Sequence, residues 1–193
     1  EEERRRADGF RTDRLRRRYC GAHDALRRIL SAYAGTPPQS LAFTENASGK
    51  PALVGAEALH FNLSHSGDRA AVAVSRQAVG VDIEEMKADP PYETAPFFLT
   101  GDEQARLAAA PDPARRAMFY RFWSAKEAVA KGVGLGLDLD FRRIVIGDPA
   151  RTRPVEMPFE AAGRDWLLHP LPAPPGFSAA LASPLRRVRL GLY

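Results

Sequence analysis

The sequence predicts an α+β fold made of two similar halves, each with one long helix packed on a small, mostly antiparallel sheet. Two long stretches have the apolar spacing of amphipathic helices, and shorter apolar stretches bounded by glycine and proline are typical of strands. We place the boundary between residues 78 and 79, so the halves are 1–78 and 79–193. This arrangement allows a pseudo-duplicated structure with a ligand in the cleft between the halves.

The first half begins with a helix whose apolar residues recur every three or four positions. Its other face is rich in arginine. Residues 35–38, Gly-Thr-Pro-Pro, end the helix, and residues 43–55 have the composition of an irregular loop. Residues 70–75 and 79–84 then predict the two strands of a hairpin. The apolar helix positions are Leu15, Tyr19, Ala22, Leu26, Ile29, Leu30 and Tyr33.

The second half follows a proline-rich connection over residues 88–96. Thr100 and Glu103 have the spacing of a helix capping box, and Asp112-Pro113 predicts the N-cap and first turn of the second long helix. Residues 143–146, 166–169 and 177–182 predict three final strands. The core face of the long helix is Met118, Phe122, Ala125, Val129 and Val133, and its end is marked by Gly132, Gly134 and Gly136.

Composition narrows the class of protein. A chain of 193 residues with 45% apolar content can bury a core, and it contains no apolar run near the ~20 residues of a membrane helix. The single cysteine, Cys20, excludes an internal disulfide and favours a reducing cytoplasm. The chain begins at Glu1 without methionine, so we expect that N-terminal sequence is missing. The net charge of +4 favours an anionic partner.

Lysine is used sparingly in this chain, and two of the four lysines lie around Glu127 on the second long helix. A lysine ammonium is a compact charge suited to a phosphate. Helical spacing places Ser124, Glu127 and Lys131 along one stripe. Lys126 would approach the same ligand from the side or pair elsewhere. The pattern predicts a phosphate and metal site, and the alternative is a surface ion pair.

Two further carboxylates, Asp82 and Glu84, lie on one face of a predicted strand because strand side chains alternate. Two like charges so close need compensation, and Mg²⁺ takes oxygen ligands of this kind together with phosphates. Glu127 would be a third ligand. The alternative is an exposed strand end at which Glu84 faces water.

Small polar residues form a third patch over residues 61–67, Phe-Asn-Leu-Ser-His-Ser-Gly, which predicts a cradle for an anion. The patch lacks the Gly-x-Ser-x-Gly elbow of a serine hydrolase. Lys50 follows Gly49, but its segment lacks the spacing of a P-loop.

Four motifs therefore occur in order over residues 49–131. They are Gly49-Lys50-Pro51, Asn62-Leu63-Ser64-His65-Ser66-Gly67, Val79-Gly80-Val81-Asp82-Ile83-Glu84 and the run from Phe122 to Lys131, Phe-Trp-Ser-Ala-Lys-Glu-Ala-Val-Ala-Lys. Together they resemble the 4'-phosphopantetheinyl transferases of the broad-specificity, Sfp-like group. The resemblance implies a cytoplasmic monomer that moves the phosphopantetheine arm of coenzyme A onto a serine of an apo acyl or peptidyl carrier protein and releases 3',5'-ADP.

The resemblance also implies roles for individual residues. Asp82, Glu84 and Glu127 would hold Mg²⁺, or Mn²⁺ as an alternative ion, and Glu127 would be base, metal ligand or both. Lys131 would contact the pyrophosphate in the catalytic step. The remaining coenzyme A contacts would be Arg6, Lys50, Asn62, Ser64, His65 and Lys126.

Some features leave alternatives open. Glu103 matches an acid of the family in position but is equally explained by the Thr100 cap. The strand that usually precedes the basic helix is missing from this chain. An arginine-rich first helix also suits a nucleic-acid-binding module, although the paired acids argue against it because they would repel a phosphate backbone. The three acids alone would also suit a Mg²⁺-dependent nuclease or nucleotidyl enzyme. The full motif set implies neither nucleic acid nor membrane as a partner.

Overall fold

The structure is a computed structural model that describes residues 2–135, 139–157 and 165–191. It confirms the α+β class. The helices are α1 (Glu2–Asp8), α2 (Asp13–Ala34), α3 (Ala95–Phe98), α4 (Gly101–Ala109) and α5 (Ala114–Val133). The strands are β1 (Phe43–Glu45), β2 (Pro51–Leu53), β3 (His60–Ser66), β4 (Arg69–Ser75), β5 (Gly80–Glu85), β6 (Arg153–Pro154), β7 (Leu167–Leu171) and β8 (Phe177–Ser183).

Helix α2 is the predicted basic amphipathic helix. The Thr12 hydroxyl caps its first turn by accepting from the backbone N–H of Leu15 at 3.3 Å, and Gly35 ends it with a φ of 65°. Its buried stripe is Tyr19, Ala22, Leu26 and Leu30. Leu15 and Tyr33, also predicted for this stripe, are 43% and 64% exposed. They lie in the first and last turns of the helix, beyond its buried middle.

The strand pairing differs from the prediction. The hairpin is formed by β3 and β4, closed at Gly67-Asp68 with Ser66 opposite Arg69. Strand β5 pairs with β8 instead, in a four-stranded sheet of order β5-β8-β7-β6. The predicted hairpin of β4 with β5 is therefore wrong, because apolar stretches indicate strands but not their partners. Residues 43–55, predicted as an irregular loop, contain the short hairpin of β1 and β2.

Helix α5 lies at the centre of the second half. Phe122, Ala125, Ala128 and Val129 are completely buried. The helix begins after Pro113 with no side-chain cap, so the predicted Asp112 cap is wrong. Gly134 ends it with a φ of 83°, as predicted, while Gly136 lies outside the described residues.

The three strands predicted for the end of the chain have different outcomes. The predictions for residues 166–169 and 177–182 are confirmed as β7 and β8. Residues 143–146 form no named strand, since a 3-10 turn at Phe141–Arg143 is followed by a single bridge from Val145 to Glu156.

Each half contains its own apolar cluster. The first is formed by Leu26, Leu30, Leu41, Leu53 and Phe61, and the larger second cluster surrounds α5. A third, small cluster of Ala73, Val79, Val81 and Leu181 joins them across β4, β5 and β8. The division at residues 78 and 79 stays a prediction. Within the described ranges, no helix combines the length and apolar content that crossing a bilayer requires.

Candidate active site

Two glycines allow α5 to lie directly on β5. A Cβ on Gly80 would overlap the carbonyl oxygen of Ala128 and would lie 2.7 Å from the Cα of Gly132. A Cβ on Gly132 would lie 2.6 Å from the Trp166 ring. This backbone contact brings the acids of β5 beneath the polar stripe of α5. The sequence motif over residues 79–84 predicts a role for its two acids, but it does not predict the structural need for Gly80.

Strand β3 lies beside β5 without backbone pairing, and three side chains replace the missing hydrogen bonds. The backbone N–H groups of Val81, Ile83 and Glu85 donate to Asn62 Oδ1 at 2.8 Å, Ser64 Oγ at 3.3 Å and Ser66 Oγ at 3.1 Å. We call Asn62, Ser64 and Ser66 the β3–β5 seam. Asn62 is 7% exposed. Its amide oxygen holds β5, and its contact with coenzyme A stays a prediction.

Asp82 is the most buried acid of the site, at 1% exposure. Its Oδ1 accepts from Lys131 Nζ at 2.6 Å and from Ser64 Oγ at 2.8 Å, while its Oδ2 is buried without a partner. Burial raises the pKa of Asp82, and the Lys131 ammonium offsets part of this effect. An unpartnered buried carboxylate oxygen is costly, so it marks a position suited to a cation.

Glu84 lies two residues further along the same face. Its Oε2 accepts from Ser66 Oγ at 2.8 Å and its Oε1 accepts from the Trp123 indole at 3.1 Å. Both donors are neutral, and they come from β3 and α5. Neither Ser66 nor Trp123 was predicted as a site residue, although both lie within the quoted motifs.

Glu127, on α5, is the third acid of the group formed with Asp82 and Glu84 of β5. Its side chain is 15% exposed, and its Oε2 lies 3.9 Å from Lys131 Nζ. Burial raises the pKa of Glu127 to about 7, and the negative charges of Asp82 and Glu84 act in the same direction against Lys131. A carboxyl group with a pKa near neutrality can accept and return a proton at physiological pH.

The donor chemistry of these three acids fits a hard divalent cation. Mg²⁺ binds carboxylate oxygens, and Asp82 offers a buried oxygen that has no hydrogen-bond partner among the described residues. Within the part of the chain that the structure describes, no cluster of three or more acid, histidine or cysteine side chains is gathered as a formed metal centre. The Lys131 ammonium instead compensates Asp82 directly.

His65 lies on β3 between Ser64 and Ser66 of the β3–β5 seam, and it is exposed. Partial burial lowers the pKa of His65, the charges of His23, Lys131 and Arg6 lower it further, and Glu84 acts in the opposite direction. The balance of charge acting on His65 is therefore positive, which suits an anion. His23 was not predicted, and it also contacts Glu3 through Nδ1 at 2.9 Å.

Lys50 extends from the loop before β2 to the junction of α5 and β5. Its ammonium donates to the carbonyl oxygens of Gly132 at 2.8 Å and Val79 at 3.2 Å. Burial lowers the pKa of Lys50 to about 8. The lysine therefore holds the last turn of α5 next to the start of β5. Its contact with a phosphate stays a prediction.

Lys126 does not belong to the site. The side chain is completely buried, and its three donors contact Glu103 Oε2 at 2.6 Å and the carbonyl oxygens of Phe98 and Phe141 at 2.7 and 3.1 Å. The prediction that it binds coenzyme A is corrected, and its alternative, pairing elsewhere, is confirmed. Glu103 forms the predicted capping box with Thr100 and also accepts from the backbone N–H of Ile146.

Several arginines of the basic helix are held in internal ion pairs. Arg14 and Arg18 both contact Asp68 in the β3–β4 turn, and Arg27 contacts Glu3. These contacts attach α2 to its neighbours, which weakens the argument for a nucleic-acid-binding face.

Comparison with known proteins agrees with this geometry. The model of the 4'-phosphopantetheinyl transferase superfamily matches residues 78–182, which include β5, α5 and the acids. The chain belongs to this superfamily. The match confirms the resemblance that the motifs carry.

Individual phosphopantetheinyl transferases show the same relationship. The chain is 34% identical over 137 residues to "4'-phosphopantetheinyl transferase HetI" of Nostoc sp. (68% of this chain, 58% of the relative). It is 37% identical over 112 residues to "4'-phosphopantetheinyl transferase psf-1" of Bacillus pumilus (58% and 48%). It is 32% identical over 114 residues to "4'-phosphopantetheinyl transferase Sfp" of Bacillus subtilis (59% and 50%). The chain thus spans about half the length of these relatives.

Similarity to solved structures is weaker. Holo-[acyl-carrier-protein] synthase of Thermotoga maritima matches with a TM-score of 0.37 and 21% identity over 55% of this chain and 61% of that chain. This likeness is too low to support a statement about fold or function.

Proposed function

We propose that the chain transfers the 4'-phosphopantetheine arm of coenzyme A to a serine of an apo acyl or peptidyl carrier protein, in a Mg²⁺-dependent reaction that releases 3',5'-ADP. The observation that supports it most is the convergence of Asp82, Glu84, Glu127 and Lys131 beside the cationic region around His65. The acids suit a cation, Lys131 suits a phosphate, and the positive charges that act on His65 suit a second phosphate. These groups support a substrate that carries a pyrophosphate and a separate 3'-phosphate.

In this reaction the serine hydroxyl oxygen of the carrier attacks the phosphorus that bears the pantetheine arm. A new phosphorus–oxygen bond forms to serine, the pyrophosphate bond breaks, and 3',5'-ADP leaves with the electron pair. The serine proton passes to Glu127, a carboxylate whose pKa in the metal-free protein is raised to about 7, chiefly by burial. Glu127 would thus serve as the general base.

Lys131 stabilises the charge that develops on the pyrophosphate. Its side chain is 28% exposed and its ammonium is held by Asp82 and Ser64, so the lysine is oriented and still partly accessible. When bound to Asp82, Glu84 and Glu127, Mg²⁺, with Mn²⁺ as an alternative, would add positive charge at the same phosphates. His65 and Arg6 would hold the 3'-phosphate, with support from His23 and Lys50.

The test is to incubate the purified chain with Mg²⁺, coenzyme A and a panel of apo carrier proteins from fatty acid, polyketide and nonribosomal peptide assembly. Intact-mass spectrometry should show one added phosphopantetheine group on at least one carrier, with an equal amount of 3',5'-ADP. The Glu127→Gln variant should be slower by about 100-fold or more, the usual contribution of a general base. The matched control Glu57→Gln, which replaces an exposed glutamate, should react as wild type.

The same experiments distinguish the transferase proposal from the base role of Glu127. No mass increase on any carrier would refute the transferase proposal, whereas a Glu127→Gln variant of full activity would remove only the base role. Size-exclusion chromatography with light scattering would test the expected monomer.

A further inference from the structure

Glu84 is held differently from its neighbour Asp82, although both acids project from the same face of β5. Asp82 pairs with an ammonium at 2.6 Å. Glu84 receives one neutral donor on each oxygen, the Ser66 hydroxyl at 2.8 Å and the Trp123 indole N–H at 3.1 Å. Neutral donors fix the direction of a carboxylate without cancelling its charge. Glu84 therefore keeps its negative charge available to a cation.

The two donors are themselves fixed by their surroundings. The Trp123 ring packs edge-on against Phe98 with a centroid distance of 5.0 Å and lies 6.0 Å from Phe141. Ser66 is fixed from the other side, because its Oγ also accepts from the backbone N–H of Glu85 at 3.1 Å. A free glutamate side chain loses rotamer entropy when it is ordered. For Glu84 this entropy is lost when the protein folds, before any ligand binds.

We propose that Ser66 and Trp123 are positioning residues for Glu84, which hold its carboxylate in the orientation that binds the divalent cation. The inference rests on the proposed function in one respect, namely that Glu84 is a ligand of that ion. Neither residue contacts substrate in this proposal. Partners that orient metal ligands by hydrogen bonds typically contribute about 10- to 100-fold to metal affinity.

The experiment measures metal binding directly. Mn²⁺ is titrated into the protein with coenzyme A present and carrier absent, and free Mn²⁺ is followed by its electron paramagnetic resonance signal, corrected by a protein-free titration. Ser66→Ala and Trp123→Phe should each weaken Mn²⁺ binding about 10- to 100-fold. Ser66→Thr keeps the hydroxyl and should retain most of the affinity. At saturating Mn²⁺ the KM for coenzyme A should stay within about twofold, since the nucleotide contacts are unchanged.

Ser178→Ala is the matched control. Ser178 lies opposite Glu84 on β8, but its hydroxyl bonds to Ser124 and not to Glu84. Its Mn²⁺ affinity should equal that of wild type. Far-UV circular dichroism and thermal unfolding identify any variant that is not folded. If Ser66→Ala does not fold, Trp123→Phe still tests the proposal, because an aromatic ring remains to pack against Phe98 and Phe141.

The outcomes separate the two proposals. Wild-type affinity in both Ser66→Ala and Trp123→Phe, with loss of binding in Glu84→Gln, would overturn the positioning proposal and leave Glu84 as a metal ligand. Unchanged binding in Glu84→Gln would overturn the ligand assignment and the positioning proposal together. A chain that binds Mn²⁺ as expected but modifies no carrier would refute the transferase activity alone.

Discussion

Glu127 should make the metal-free protein less stable as the pH rises. The pKa of this carboxyl group is raised from 4.5 to about 7 by burial and by the charges of Asp82 and Glu84. A raised pKa means that the folded state binds the proton more tightly than the unfolded chain does. The stabilisation is therefore complete below pH 4.5 and is lost as the pH rises through 7.

The magnitude follows from the size of the shift. Each pKa unit corresponds to about 1.4 kcal/mol, so ionised Glu127 costs the fold about 3 kcal/mol at alkaline pH. Between pH 5 and pH 8, wild-type protein should lose about 2 to 3 kcal/mol of unfolding free energy through this group alone. Glu127→Gln keeps the shape of the side chain and removes the titration. The variant should thus gain about 2 to 3 kcal/mol on wild type between these two pH values.

Urea unfolding followed by circular dichroism at pH 5 and pH 8, in buffer containing a chelator, measures this difference. Glu57→Gln, at an exposed glutamate remote from the acids, controls for removal of a negative charge. If Glu127→Gln and wild type lose the same free energy between pH 5 and pH 8, the argument that burial and neighbouring acids raise the pKa of Glu127 is wrong. Glu127→Gln should also be slower in transfer by about 100-fold or more. The same substitution would therefore stabilise the metal-free protein at high pH and reduce its activity.

Two other predictions concern the frame of the site. Lys126→Met should lower the free energy of unfolding by about 3–5 kcal/mol, because the substitution leaves Glu103 charged and buried. The double variant Lys126→Met with Glu103→Gln should recover part of this lost stability. Equal unfolding free energies for wild type and Lys126→Met would contradict a buried ion pair. Gly80→Ala should cost at least about 3 kcal/mol, since its Cβ would overlap the backbone of α5. Gly101→Ala, at a glycine with no atom within 4 Å of an added Cβ, should cost little in the same thermal unfolding assay.

Local patterns in the sequence were sufficient where neighbours along the chain decide the structure. The three-and-four spacing of apolar residues in α2, the capping box of Thr100 and Glu103, and the glycine end of α5 depend on residues a few positions apart. The alternation of side chains on a strand likewise placed Asp82 and Glu84 on one face. These features need no knowledge of what packs against them, so they were predictable.

Partners distant in sequence were not predictable from such patterns. The pairing of β5 with β8 joins residues about a hundred positions apart, and the β3–β5 seam depends on side chains that replace backbone pairing. Only the packed structure shows that Lys126 is buried against Glu103 while Lys131 reaches Asp82. Helical spacing placed Lys131 on the stripe of Glu127 and left two alternatives for Lys126, because spacing does not show what packs against a side chain.

The order of residues along the chain was enough to predict the residue types of the proposed site, namely acids for a cation, a lysine for a phosphate and a small polar patch for an anion. Which of these groups share one environment follows from the packing of the strands and helices. The pKa of Glu127 depends on burial and on charges from β5, and the orientation of Glu84 depends on donors from β3 and α5. Electrostatic and hydrogen-bonding effects act through space over a few ångströms, so they are fixed only when the chain is packed.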